Sequence, residues 1–259
     1  MWELERESDL PDLTRLRCAI VGDGRMGRAL SRELRAAGLT VDGPLGRRTS
    51  GGDADVVLLA VPDGEIANAA AALAPRPGRM VGHCSGATTL AVLAPHEGFS
   101  VHPLMTVTHE LGGPSPFHGA AAATAGATER AHDVAVALAA ALGMTPVSVT
   151  DADRAAYHAA ASIASNFLVT LQAAAEQVAA SAGVERAALV PLVRATLENW
   201  AQHGPERALT GPLARGDEAT VARQRDAVIE RTPELLPLFD ALAQAARELA
   251  AAARAGTPA

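Results

Sequence analysis

The sequence predicts an α/β domain built on a mostly parallel sheet over residues 15–150, followed by an all-helical domain over residues 151–259. Three observations lead there. Short apolar runs closed by Gly, Pro or Asp recur through the first half, as strands buried on both faces do. The first run passes through a glycine turn into an amphipathic helix, and beyond Asp151 the apolar residues recur at helical spacing. Aromatics make up only 3% against 49% hydrophobic residues, so the core is built from Ala, Val and Leu, which suits close-packed helices and parallel strands.

The first run and its turn read "LRCAIVGDGRMGRALSRELRAAG". Arg17 to Val21 form the strand, and Gly22, Gly24 and Gly27 follow in GxGxxG order. The helix presents Met26, Leu30 and Leu34 on one side and stops at Gly38. The glycines supply a tight turn, a close backbone approach to a pyrophosphate, and close helix–strand packing. The helix start offers N–H groups and a positive dipole end to phosphate. This is a dinucleotide-binding pattern, in which Arg25 and Met26 flank the turn.

The next strand, "LTVDGPLGRRT", bears on which dinucleotide binds. Asp42 lies twenty residues after Gly22, where an NAD-binding carboxylate is expected, but only four after Gly38, near mid-strand. Arg47, Arg48 and Thr49 then occupy the strand-end loop and suit a 2′-phosphate, which favours NADP with NAD possible. "DADVVLLAVPD" is a buried strand, Val56 to Val61, ended by Pro62; Val61 and Pro62 fall beside the expected cofactor, and Asp63 is placed to cap a helix beginning near Glu65. "GRMVGHCSGA" and "FSVHPLMT" give two more strands, with Ser85 and His102 at their ends, where ligands gather in open α/β sheets. His83 lies beside Ser85. "AAAATAG" and "TPVSV" complete the sheet around a helix from about 129 to 142.

Helices are expected over 153–182, 185–202, 217–230 and 233–254. The first contains "YHAAASIASNFLVTL", with the single tyrosine of the chain. On a regular α-helix His158, Ser162, Ser165 and Asn166 share a sector of about 100°, with Tyr157 roughly opposite Asn166. A polar stripe on an alanine-rich helix suits a cleft wall, or a mutually bonded helix–helix interface. Arg215 and Asp217 in "TGPLARGD" could clamp a substrate carboxylate, or pair with each other and cap the following helix. Long apolar stripes with few caps point to a homodimer through the helices.

Composition removes other classes of function. The net charge is −7, and no basic patch with interleaved aromatics is present, so nucleic acid is not an expected partner. The chain has no lysine, which excludes a Schiff base and a lysine general acid. Cys18 and Cys84 have neither metal nor disulfide spacing, and the histidines show no metal-like pattern. The acidic N-terminus lacks an apolar signal core and no run reaches membrane-spanning length, so the expected location is the cytoplasm.

Together the stretches "VGDGRMGRAL", "ADVVLLAVPD", "GHCSGATTL", "SVHPL", "YHAAASIASNFLVTL" and "LTGPLARGD" resemble the bacterial family that joins a Rossmann-like domain to a C-terminal domain of unknown function, regarded as oxidoreductases. The region between the second and third strands is shorter than usual and contains proline. More distantly, the chain is similar to the 6-phosphogluconate dehydrogenase-like superfamily. Ketopantoate reductases and hydroxyisobutyrate-type dehydrogenases carry a lysine one helical turn before an asparagine; Asn166 takes the place of the asparagine and Ser162 that of the lysine. His102-Pro103 resembles the catalytic "HP" of prephenate-type dehydrogenases. The resemblance implies an NADP-dependent oxidoreductase that reduces a small keto or imino acid, with ketopantoate the first candidate. His102 would act as general acid or substrate polariser, with His158 the runner-up acid. Asn166 would orient the substrate oxygen, Ser85 could bond the substrate or the nicotinamide amide, and Ser162 would contact substrate. A non-catalytic dinucleotide sensor or scaffold and a prephenate or arogenate dehydrogenase are the alternatives.

Overall fold

The computed structural model describes residues 10–46, 48–107, 113 and 115–255. The apolar runs of the first half form β1 (Arg17–Val21), β2 (Thr40–Leu45), β3 (Val56–Leu59), β4 (Met80–His83), β5 (Glu97–Pro103), β6 (Ala121–Gly126) and β7 (Thr145–Ser148). They lie in one sheet in the order β2-β1-β3-β4-β5-β6-β7. All neighbours are parallel except β5 and β6. Three helices fall between these strands in the chain: α1 (Arg25–Ala36), α2 (Ile66–Ala71) and α3 (Glu129–Ala141).

Side chains of β1 alternate between two separate cores. Cys18 and Ile20 join Leu30 and Leu34 of α1 and Val134 and Leu138 of α3. Ala19 and Val21 join Ile66 and Ala70 of α2 with Leu73 and Leu93. Burial on both faces explains why these strands read as continuous apolar runs. At the exposed sheet edge, β7 carries Pro146, whose missing N–H is tolerated there. Between β2 and β3 the described residues contain no helix. Gly82 of β4 sits opposite Phe99 of β5, and a methyl on Gly82 would fall 2.4 Å from the Phe99 ring, so the aromatic occupies the space a side chain would take.

The second half is helical: α4 (Arg154–Ser162), α5 (Leu168–Ser181), α6 (Arg186–His203), α7 (Pro205–Ala208), α8 (Gly211–Arg215), α9 (Glu218–Arg231) and α10 (Leu236–Ala255). One expectation needs correction. The helix expected over 153–182 is interrupted by a π turn, Ile163–Phe167. Its wider i→i+5 winding breaks the regular 100° phase, so the stripe drawn through His158, Ser162, Ser165 and Asn166 does not continue across it. The segment between α6 and α9, expected to be a break, folds into the short α7 and α8. The two compact units divide at this same turn, Met1–Ser162 and Ile163–Ala259, so α4 belongs with the sheet.

The helical unit has a different interior. Its buried hydrophobic side chains are Val221, Val228, Ala243 and Ala250, while Ile163, Phe167, Val169, Leu192 and Trp200 are exposed. No helix among the described residues is long and apolar enough to cross a membrane.

Phe99 is fully buried. Phe99→Ala is expected to lower unfolding free energy by about 3–5 kcal/mol in urea denaturation, because the ring leaves a cavity over Gly82 that the backbone cannot fill.

Candidate active site

The glycine turn has the geometry its spacing implies. Gly22 has φ +114°, and a methyl there would lie 2.3 Å from the Ala60 carbonyl oxygen. A methyl on Gly27 would lie 1.8 Å from the Gly22 carbonyl oxygen, so α1 can approach β1 only without a side chain there. Gly24 is the opposite case: nothing lies within 4 Å of where its side chain would begin. It caps the 12-residue α1 without a side-chain hydrogen bond, so the first helical N–H groups are left without that partner. This stands where β2 and β3 diverge to either side of β1, the switch point at which such sheets bind ligands. A pyrophosphate fits the site on these grounds. Arg25 is exposed beside the turn and Arg28 donates to the Asp23 carbonyl at 2.6 Å, whereas Met26 packs partly into the core. Val61 borders Gly22, and Pro62 follows it at the surface.

Asp42 is drawn away from the strand end. Its carboxylate takes a hydrogen bond from Arg17 Nε at 2.7 Å, and that guanidinium holds it below the usual carboxylate range. Arg48 is exposed after β2, and the Thr49 hydroxyl accepts the Gly51 N–H at 3.3 Å. Arg47 lies outside the described residues.

Three strand ends and the first turn of α4 gather the remaining polar groups. His102, near the end of β5, lies with its Nδ1 2.7 Å from the Tyr157 hydroxyl, their rings edge to face. His158 stands with its ring centroid 6.3 Å from that of His102. A methyl on Gly86 would fall 2.9 Å from the His102 ring, so the glycine of "HCSG" clears space for the imidazole. Ser85 is buried and its hydroxyl is fully engaged. It donates to Asp63 Oδ2 at 2.7 Å, is 2.9 Å from the Thr88 hydroxyl, and accepts the Ala87 and Thr88 N–H groups. Asp63 therefore does not cap the helix that follows: it is itself the first residue of a 3-10 turn, Asp63–Glu65, and its carboxylate holds Ser85. His83 is buried, with Nδ1 accepting the Ser85 N–H at 3.2 Å.

Beneath these groups lies Arg154, only 2% exposed. It donates to Asp151 Oδ1 and to Ser100 Oγ, each at 2.6 Å, and reaches the Ser85 carbonyl at 3.5 Å. Asp151 in turn accepts the Leu90 N–H at 3.1 Å. Sequence reasoning missed Tyr157, Arg154 and Asp63 as members of one cluster. The signal for Tyr157 was its being the single tyrosine; the signal for Arg154 was Asp151, three residues before it, ahead of an alanine-rich helix.

The other expected residues lie elsewhere. Ser162 ends α4, and Asn166 is exposed within the π turn. Asp217 caps α9 by accepting the Thr220 N–H at 3.0 Å, a structural role that the sequence left open against a carboxylate clamp. Arg215 is exposed at the end of α8.

Residues 45–107 match the Rossmann-like domain family and residues 121–246 match the domain of unknown function DUF2520. The chain joins these two families. The DUF2520 match begins at β6, so it takes in the last two strands of the sheet as well as the helices. No curated protein matches. Among solved structures, the "putative NADP oxidoreductase BF3122" of Bacteroides fragilis superposes with TM-score 0.78 at 16% identity, covering 92% of this chain and 100% of that one. Protein TM1727 of Thermotoga maritima gives 0.75 at 22% identity, covering 92% and 99%. A reductive aminase of Aspergillus terreus, in complex with NADPH and ethyl levulinate, gives 0.61 at 17% identity, covering 93% and 99%. At these identities the likeness concerns the fold.

The electrostatics of the Rossmann-like/DUF2520 cluster are set by burial next to a fixed cation. His102 is pushed down to about 4, first by burial and then by His158, with Arg154 adding to the effect and Asp63 opposing it. His83 is also pushed down to about 4, by burial and then by Arg154. Burial raises Tyr157, and Arg154 opposes the rise. The Cys84 thiol is driven up to about 12 by burial, which disfavours the thiolate. Among the described residues no group of three or more His, Cys, Asp or Glu could hold a metal ion.

These shifts set a pH dependence. Between the ordinary histidine value of 6.5 and about 4 the unfolded chain binds protons at positions 83 and 102 that the folded chain does not. Stability contributed by the neutral rings is therefore full above about pH 6.5 and falls as pH drops toward 4, by about 1.4 kcal/mol per pH unit for each histidine. In urea titrations across this range, H102Q is expected to show a shallower loss than the parent chain.

Proposed function

We propose that this protein is an NADP-dependent oxidoreductase that reduces a small keto or imino acid, with ketopantoate the first substrate to test. One observation carries the reading: the open backbone cradle at Gly24 stands at the switch point of the same sheet whose neighbouring strand ends hold His102, Tyr157 and His158. The NADP and NADPH named for the Bacteroides and Aspergillus structures support the cofactor class.

When bound, the dinucleotide supplies a hydride. Gly22, Gly24 and Gly27 with the start of α1 would hold its pyrophosphate, flanked by Arg25, Val61 and Pro62. Arg48 and Thr49 would take a 2′-phosphate, a preference supported by the pairing of Asp42 with Arg17. In the sheet unit His102 or His158 would supply the proton that a carbonyl oxygen needs, and Ser85 would hold Asp63 and the loop after β4. Asn166 and Arg215 are proposed as substrate-binding side chains of the helical unit. The reading also includes a homodimer through the helices. A unit that buries so few of its large apolar residues needs constant cover, and a second copy of the chain is always present at matching concentration.

Purified protein is expected to show a larger thermal shift with NADP than with NAD, and to oxidise NADPH with at least one member of a panel of 2-keto acids and cyclic imines. His102→Ala is expected to lower kcat by about 10²–10⁴-fold. Unchanged rates in all of H102A, H158A and N166A would remove this site. Tight NADP binding with no turnover across the panel would favour a sensor or scaffold, a reading that the absence of lysine makes chemically reasonable. Analytical ultracentrifugation is expected to give a dimer for the parent chain and a monomer for Trp200→Glu, which puts a charge on a side chain 57% exposed.

A further inference from the structure

We propose that Tyr157, held by His102, is the proton donor of this site, and that His102 acts on it as a positioning and charge-stabilising partner rather than as the acid. The proposal rests on the reductase reading above and names the acid within it.

Lysine is absent, and Ser85, His83 and His102 have little left to give as acids. The Ser85 hydroxyl is committed to Asp63 and His83 is buried inside the loop. His102, hemmed in by Gly86 and set near Arg154 and His158, is neutral at physiological pH and holds no spare proton to release as an imidazolium would. Tyr157 differs on each count. It is half-buried and carries its phenolic proton at neutral pH. Its oxygen is 2.7 Å from His102 Nδ1, and Arg154, with its permanent charge, lies one helical turn earlier on the same face of α4.

This arrangement suits proton release toward substrate. When a carbonyl is reduced, hydride from a dihydronicotinamide adds to carbon and the C=O π pair moves to oxygen, which must gain a proton. With its ring hydrogen on Nδ1, neutral His102 donates to the Tyr157 oxygen, leaving the phenolic O–H free to donate to the substrate oxygen. Transfer breaks the Tyr157 O–H bond, forms the alcohol O–H bond, and leaves a phenolate. That anion accepts the His102 Nδ1–H bond and is favoured by the Arg154 charge, until solvent returns a proton. Asp63 and His158 are the other titratable groups around the pair, the first opposing and the second reinforcing the neutral form of His102.

Two readouts test this, one independent of turnover. Because Tyr157 is the only tyrosine, near-ultraviolet phenolate absorbance during alkaline titration reports this residue alone. Its ionisation is expected to move to higher pH in H102A, where the Nδ1–H bond is lost; an unchanged titration overturns the proposal. In steady-state assays with NADPH, Y157F is expected to lose about 10²–10³-fold in kcat on ketopantoate or another 2-keto acid turned over by the parent chain. KM should change little. The same variant should retain most of its rate on an N-methylated cyclic iminium, whose nitrogen needs no proton after hydride addition. A ketone kcat equal to that of the parent removes Tyr157 while leaving the reductase reading intact. No turnover of any substrate by the parent chain defeats that reading, and this proposal with it. If Y157F does not fold, the H102A titration decides.

Discussion

The site depends on a buried arginine. A guanidinium taken out of water costs several kcal/mol unless its donors are matched. Arg154 meets that demand with the Asp151 carboxylate, the Ser100 hydroxyl on β5 and the carbonyl of Ser85 after β4. Apolar helix–sheet contacts tolerate sliding, but a planar fork bonded to three separate segments does not. The register of α4 on the sheet is therefore set at its first residue. One turn later Tyr157 arrives over His102, at a place kept clear by Gly86.

The same cation shapes the chemistry. Its charge, added to burial and to His158, keeps His102 neutral, so the histidine that looks like an acid at a strand end is better suited to hold another group. In this lysine-free chain a tyrosine, an imidazole and a fixed guanidinium occupy one corner of the sheet. The phosphate end of the fold is simpler. Gly22 and Gly27 are glycines because neighbouring backbone fills the space of a side chain, whereas Gly24 is open for a ligand.

The two units rest on different physics. In the first, the central strands are buried on both faces between two hydrophobic cores. In the second, the π turn and the long α6 keep Phe167, Leu192 and Trp200 at the surface. Alanine-rich helices supply good propensity but little apolar area per residue, so their stability depends on what covers them. The π turn at Ile163–Phe167 marks the change from one unit to the other.

Local patterns were enough to read the strands, the glycine turn, most helix limits and the concentration of polar groups at the ends of β4 and β5. Each depends on periodicity or on a backbone conformation that a few consecutive residues dictate. The pairing of His102 with Tyr157, fifty-five positions apart, could not be read that way. A helical wheel placed Tyr157 away from Asn166 and so outside the expected wall, but the wheel assumes one regular helix and says nothing of which face meets the sheet. That face is chosen by Arg154, whose partners lie on segments distant in the chain. Likewise Asp42 sat at a suggestive count from Gly22, and its fate was settled by Arg17 on the adjacent strand. Chain-local geometry specifies elements; the partner that a charge finds across the fold specifies the site, because only a folded chain brings the two within bonding distance.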